Sequence, residues 1–143
     1  MVAGVSTRAL AESAWRAGFE CETVDAFGDL DQKLRVRNVS FHQDLRRRYS
    51  ASAAAAVARR FSARAAAYVG NFENHPRAVR RLARGRLLLG NPPGVLERAR
   101  DPFLLAQIVA ANGACTPVTL RPGAARRVDA GRLWLRKPIR GGG

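Results

Sequence analysis

The side chain best equipped for chemistry stands near the end of the chain. Lys137 closes a stretch that reads as a strand, and Pro138, Ile139 and Arg140 lead from it to Gly141, Gly142 and Gly143. A lysine at a strand end followed by glycines suits phosphate. Glycines let backbone N–H groups approach phosphate oxygens, and the lysine adds a point charge. The plain alternative is a solvated lysine and a glycine tail. A second group is Glu73, Asn74 and His75, which follow the apolar residues 65–69. If those residues form a strand, the group lies at its carboxyl end, where open α/β sheets bind ligands. Such a position would let Glu73 and Asn74 contact a substrate. The structural alternative is that Asn74 caps the next helix while Glu73 favours its N-terminus by charge. A third group, Ser6, Thr7 and Arg8, sits in the turn after residues 2–5. An anion could rest there on a helix N-terminus beside Arg8; capping by Ser6 or Thr7 is the alternative. Asp29 and Asp31 offer too few oxygens for a firm cation site. No Cys/His set has zinc spacing, and no G-x-S-x-G nucleophile motif occurs.

Periodicity and turn residues predict the elements that would hold these groups. Residues 2–5 form a short apolar strand. A helix follows with Leu10, Ala14 and Ala17 on one face and Gly18 as its stop. A second strand covers residues 21–24 and ends at Asp25. The distance from Gly4 to Asp25 is near the ~20 residues between glycine loop and ribose-binding acid in dinucleotide domains. Only one glycine is present, however, and Ser6-Thr7-Arg8 fills the place of the others, which argues against NAD or FAD. Residues 32–50 show no clear period, and Arg46-Arg47-Arg48 reads as a solvated face. Residues 51–62 form an alanine-rich helix with Val57 and Phe61 one turn apart. Residues 65–69 and 87–89 read as buried strands. Between them a helix begins at Pro76, with Val79 and Leu82 toward the core. After a helical turn at 94–98, Asp101 caps a helix from Pro102, with Leu105, Ile108 and Val109 inward and Gly113 as the stop. Strands alternating with helices in this way predict a Rossmann-like parallel sheet with helices on both faces. Residues 116–120 read as extended, 121–129 as a polar turn and 132–137 as a strand.

The chain has 143 residues, 47% of them hydrophobic, enough for one packed core. No apolar run approaches the ~18 residues of a membrane span, and residues 1–8 lack a leader pattern. Cys21 and Cys115 are expected to be reduced, buried and inert, which fits a cytoplasmic protein without membrane contact. The formal net charge is +14. Lys33 and Lys137 are the only lysines among 25 basic residues, so 25 − 2 = 23 are arginines. Arginine and alanine together point to a GC-rich coding bias. Nucleic acid is accordingly not the expected partner, although the charge would attract polyanions at low salt.

The segment Trp134-Leu135-Arg136-Lys137-Pro138-Ile139-Arg140-Gly141-Gly142-Gly143 resembles the strand and glycine-rich loop of ATP-grasp ligases. Residues 4–14 and 24–31 resemble the start of the N-terminal domain in a subgroup of predicted ATP-grasp carboligases. Gly70-Asn71-Phe72-Glu73-Asn74-His75-Pro76, Leu89-Gly90-Asn91-Pro92 and Arg100-Asp101-Pro102 fit the same subgroup. The resemblance spans essentially the whole chain. It implies a preATP-grasp domain at residues 1–113 and the first strand of an ATP-grasp lid within 114–143. It further implies an enzyme in which ATP phosphorylates a carboxylate and a nucleophile, often an amine, displaces the acylphosphate. Lys137 and Gly141 to Gly143 would then bind the nucleotide, while Glu73, Asn74 and Arg8 would contact substrate. Mg²⁺ would be held by acids or an Asn later in a longer protein, of which this chain is expected to be the N-terminal part, inactive alone. One departure is Pro102, where many relatives carry a phosphate-contacting lysine; Arg98 and Arg100 are the nearby cations. The rival expectations are a stand-alone scaffold and a nucleic-acid-binding domain, and self-association stays open. A truncated lid would leave an apolar patch near Leu133 and Trp134.

Overall fold

The computed structural model describes residues 1–127, 131 and 133–139. The chain divides into two compact units, Met1–Pro93 and Gly94–Gly143. In the first, five strands form one sheet: β1 (Val2–Ala3), β2 (Glu22–Asp25), β3 (Arg37–Ser40), β4 (Ala65–Tyr68) and β5 (Leu87–Leu89). Their order is β3-β2-β1-β4-β5, and every pairing is parallel. This is the α/β, Rossmann-like layout that the alternation of strand and helix predicts. Parallel neighbours need crossovers, and the helices α1 (Arg8–Arg16), α2 (Leu30–Lys33), α3 (Ala51–Val57) and α4 (Pro76–Leu82) lie in them. α1 packs with α2, and α3 packs with α4. Right-handed crossovers place these pairs on opposite faces of the sheet, because the order reverses beside β1.

The alanines of residues 51–58 have a packing reason. Ala51, Ala54, Ala55 and Ala58 are buried, and such small side chains let α3 approach its neighbours closely. Ser50 starts α3, its hydroxyl accepting from the Ala53 N–H at 3.2 Å. After α3 the chain tightens into a 3-10 turn, Ala58–Arg60. One arginine collects the carbonyls left over there. Arg86 donates to the carbonyl oxygens of Phe61 (2.6 Å), Ala58 (2.8 Å), Ala63 (3.1 Å) and Leu82 (3.2 Å). At least one residue of the arginine excess is therefore architectural, with its donors spread over four acceptors.

Four expectations need correction. β3 was hidden because Arg37–Ser40 has one apolar residue, Val39. As an edge strand it pairs only with β2, so it needs no apolar run. β5 forms as expected but is not buried: Leu87 and Leu89 are 67% and 57% exposed at the other edge. After α5 (Pro93–Ala99), Asp101 does cap α6 (Pro102–Ala111), accepting from the Phe103 and Leu104 N–H groups at 2.9 and 3.1 Å. Leu105 and Ile108 nevertheless stand exposed rather than inward. The run Phe103-Leu104-Leu105-Ala106 is apolar on successive positions, so periodicity cannot choose its inner face. Last, residues 133–138 join no sheet, and Arg132 lies outside the described residues. A strand needs a neighbour for its N–H and C=O groups, and no strand is assigned among the described residues of the second unit. Leu133, Trp134 and Leu135 are exposed.

Cys21 is half-buried, but Cys115 is exposed, contrary to expectation. No helix or strand forms around Cys115, so nothing covers it. Burial raises the Cys21 thiol pKa; the N-terminal ammonium opposes this and Glu22 adds to it. Maleimide labelling at neutral pH is therefore expected to show one fast and one slow thiol. The Cys115→Ser variant should lose the fast phase alone; equal rates would contradict the assignment. No helix among the described residues is long and apolar enough to cross a membrane.

Candidate functional site

The strand order reverses at β1, so the loops leaving β1 and β4 diverge to opposite faces. Their divergence opens the crevice where parallel α/β sheets bind ligands. Two hydrogen bonds extend the β1–β4 pairing past the strand ends: Val69 N–H to Ala3 O (3.0 Å) and Val5 N–H to Gly70 O (3.1 Å). Gly4 is required at this closure. A Cβ there would run into Val69 Cγ2 and lie 2.9 Å from the Val69 carbonyl oxygen. The glycine therefore makes room for the neighbouring strand end.

The β4 loop then turns sharply. Asn71 takes the left-handed backbone (φ 72°) that Asn tolerates better than most residues. A 3-10 turn, Phe72–Asn74, follows. It sends Phe72 into the core, where the ring is fully buried and stacks on Tyr68 at 6.2 Å. Asn71 and Glu73 flank this anchor. Glu73 is half-buried and, among the described residues, makes no hydrogen bond or ion pair. Asn74 is buried but is not the expected cap. The capping position of α4 is His75, whose side chain makes no cap bond. Pro76 at the first turn has no N–H to satisfy, which lessens the need for a cap.

The other turn carries Thr7 and Arg8. Thr7 holds the capping position of α1 without a side-chain cap bond, because its hydroxyl is committed elsewhere. It donates to Asp25 Oδ2 at 2.7 Å and accepts from Gln32 Nε2 at 2.8 Å. Asp25 also accepts from the Gly28 N–H (2.9 Å) and Asn38 Nδ2 (3.1 Å). Thr23 accepts from Gln32 Nε2 (2.7 Å) and Asn38 Nδ2 (2.9 Å). This buried network joins the β1 turn to β2, α2 and β3. Asp25 is fully buried in it, so it cannot meet a ribose hydroxyl despite its distance from Gly4.

Arg8 is held by Asp31, with Nε 2.7 Å and the terminal nitrogen 2.6 Å from Oδ2. The same pair occupies the acid considered for a cation. Arg8, Asp31, Glu12, Arg35 and Gln32 border a shallow groove. Among the described residues, no group of three or more His, Cys, Asp and Glu could hold a metal. Lys137 is exposed in the second unit, and Gly141, Gly142 and Gly143 lie outside the described residues.

Two residues with unpaired buried atoms were not legible in the sequence. Tyr49 packs edge-on against Phe41 with centroids 5.4 Å apart. Its hydroxyl is buried and has no partner. Burial raises the phenol pKa far above its usual value, and the carboxylates of Asp25 and Glu73 add to the shift. The second residue is Asn71, whose Oδ1 is also buried and unpaired. Nothing in their local sequence marks either atom, since a missing partner is a property of the packed chain. No family model matches the sequence, and no curated protein matches it. The ground for a functional reading is thus the parallel sheet and the polar residues that follow the carboxyl ends of its strands.

Proposed function

We propose that this chain is the N-terminal part of an ATP-dependent carboxylate ligase, working through an acylphosphate. The observation that supports this best is the all-parallel sheet with its crevice beside β1. The segment lining that crevice, residues 70–76, is one that carries the resemblance to ATP-grasp carboligases. In this reading Glu73 and Asn74 contact the substrate, and Arg8, set by Asp31, orients the neighbouring turn. Lys137 and Gly141 to Gly143 contact the ATP phosphates. The resemblance puts the Mg²⁺ ligands later in the protein.

The test is the gene product encoded through and beyond the Gly143 codon. Incubated with Mg-ATP, a panel of carboxylates and a panel of amines, it should form ADP only when both co-substrates are present. Residues 1–143 alone should bind Mg-ATP weakly or not at all in calorimetry. A stop codon directly after Gly143, or ADP formation indifferent to both panels, would overturn the reading in favour of a scaffold. A nucleic-acid reading has one observation behind it: Arg46, Arg47, Arg48, Arg59 and Arg60 are exposed and make no ion pair among the described residues. It requires DNA or RNA binding that persists at ~150 mM salt; binding seen only at low salt is the nonspecific attraction of a basic surface.

A further inference from the structure

We propose that the outer face of α3 and α4 binds the phosphate backbone of a nucleic-acid duplex through Arg59, Arg60, Arg77, Arg80, Arg81 and Arg84. The inference goes beyond the ligase reading, whose site lies at the carboxyl ends of β1 and β4, and it gives the nucleic-acid reading a face and a mode. Charge in the first unit is segregated. Residues 1–44 carry five cations against seven acids, whereas residues 45–93 carry eleven arginines against one acid, Glu73. Among the described residues of the first unit, every ion pair lies within residues 8–44. A GC-rich coding bias adds arginine without regard to the fold, and it does not strip acids from one half of a unit.

Hydrogen bonds join these arginines into one surface. Arg77, Arg80 and Arg81 on α4, and Arg84 just after it, recur at helical spacing and are exposed. Ala78, Val79 and Leu82 fill the opposite, buried side. Arg81 reaches across to α3, donating to the Ser52 hydroxyl at 3.1 Å. Arg86 donates to the carbonyls of Ala58 (2.8 Å), Phe61 (2.6 Å) and Leu82 (3.2 Å). One guanidinium thus ties the turn that bears the exposed Arg59 and Arg60 to the end of α4. The helix dipole favours a cation in the last turn, which accounts for Arg80 and Arg81 but not for Arg77 in the first turn. Like charges three and four residues apart repel, and an anionic partner relieves that repulsion.

The chemistry of the face selects the partner. Guanidinium groups match phosphate oxygens with paired hydrogen bonds. Residues 45–93 contain no lysine and no exposed aromatic ring. Single strands are gripped by stacking bases on aromatic rings, so this face suits a duplex met through its phosphates. A protein partner calls for an apolar or aromatic centre, and a membrane surface for apolar side chains to insert. The exposed positions of α3 and α4 are Ser52, Ala56, Arg77, Arg80 and Arg81, which supply neither.

The 143-residue chain is titrated into a fluorescein-labelled DNA duplex of about 20 base pairs, two helical turns, and binding is read by anisotropy. The dissociation constant should be about 1–100 µM at ~150 mM salt, and log K should fall with log salt at a slope near about −5 for six phosphates. Arg80→Gln/Arg84→Gln should weaken binding about tenfold or more at ~150 mM salt and reduce the slope by about 2. Its melting temperature should be unchanged or higher, since repulsion on α4 falls. Arg16→Gln/Arg35→Gln changes the net charge equally, at cations paired with Glu12 on the other helix layer. It should leave binding within about twofold. Equal weakening by the two variants would overturn the proposal, because net charge alone would then explain binding. So would a dissociation constant above about 1 mM at ~150 mM salt. Tighter binding to a single strand of the same sequence, or to vesicles of phosphatidylcholine and phosphatidylserine in equal parts, would also overturn it. The ligase reading is judged separately, by ADP formation in the longer gene product.

Discussion

Asp25→Ala is expected to lower the unfolding free energy by about 3–5 kcal/mol. The carboxylate accepts from the Thr7 hydroxyl, the Gly28 N–H and the Asn38 amide, and it has no exposed surface. Alanine would strand those donors where no water reaches them. Each unpaired buried polar group costs about 1–3 kcal/mol. Against a typical total of about 5–15 kcal/mol, such a loss removes a large share of the stability of a small domain. Asp25→Asn keeps an oxygen for one or two donors but turns an N–H₂ toward another, so about half the loss is expected. Urea unfolding followed by circular dichroism measures both, read as a lower midpoint at unchanged slope. A midpoint for Asp25→Ala close to the wild-type value would refute the network as a stabilising unit. A Thr7/Asp25 double-mutant cycle should show coupling of at least about 0.5 kcal/mol, the lower range for residues in direct contact.

Phe72→Ala should be of similar size, about 3–5 kcal/mol, from lost apolar burial plus the cavity left under the β4 loop. Phe72 is fully buried and stacks on Tyr68. Its neighbours in the chain are Asn71 and Glu73, so the same substitution releases the turn that presents them. Phe72→Leu keeps most of the volume and should cost about 1–1.5 kcal/mol. The pair separates two consequences of one side chain. Urea unfolding reads the loss of stability, and the ¹⁵N amide resonances of Asn71 and Glu73 should move in the alanine variant and stay near their wild-type positions in the leucine variant. If Phe72→Ala unfolds outright, Phe72→Leu still tests the anchor: a loss above about 3 kcal/mol would mean the ring does more than fill space.

Most elements were legible because their determinants are local. Apolar runs marked β1, β2, β4 and β5, and a capping aspartate and a proline marked the start of α6. Alternation of these elements sufficed for a parallel α/β sheet, since parallel neighbours need crossovers and helices supply them. β3 escaped, because an edge strand needs hydrogen-bonding positions more than apolar ones. Exposure was misjudged for Leu87, Leu89, Leu105 and Ile108, because an apolar residue does not state what covers it.

The site divides in the same way. Glu73 and Asn74 could be put at a strand's carboxyl end from sequence order alone, because the end of a strand is a local fact. Arg8 could be seen as a cation, but not as the partner of Asp31, 23 residues away. Asp25 stood at the spacing of a ribose acid, and only the fold showed it closing a buried network. Gly4 looked like a loop glycine and is instead the clearance that Val69 needs. Tyr49 and Asn71 left no local signal, since an unpaired atom is defined by everything that folds around it and fails to reach it. Residue order thus determined which segments become strands and helices, because hydrogen-bonded turns and caps are short-range. Tertiary packing decided which polar groups are satisfied and which are left without a partner, because those contacts join residues that the chain keeps far apart.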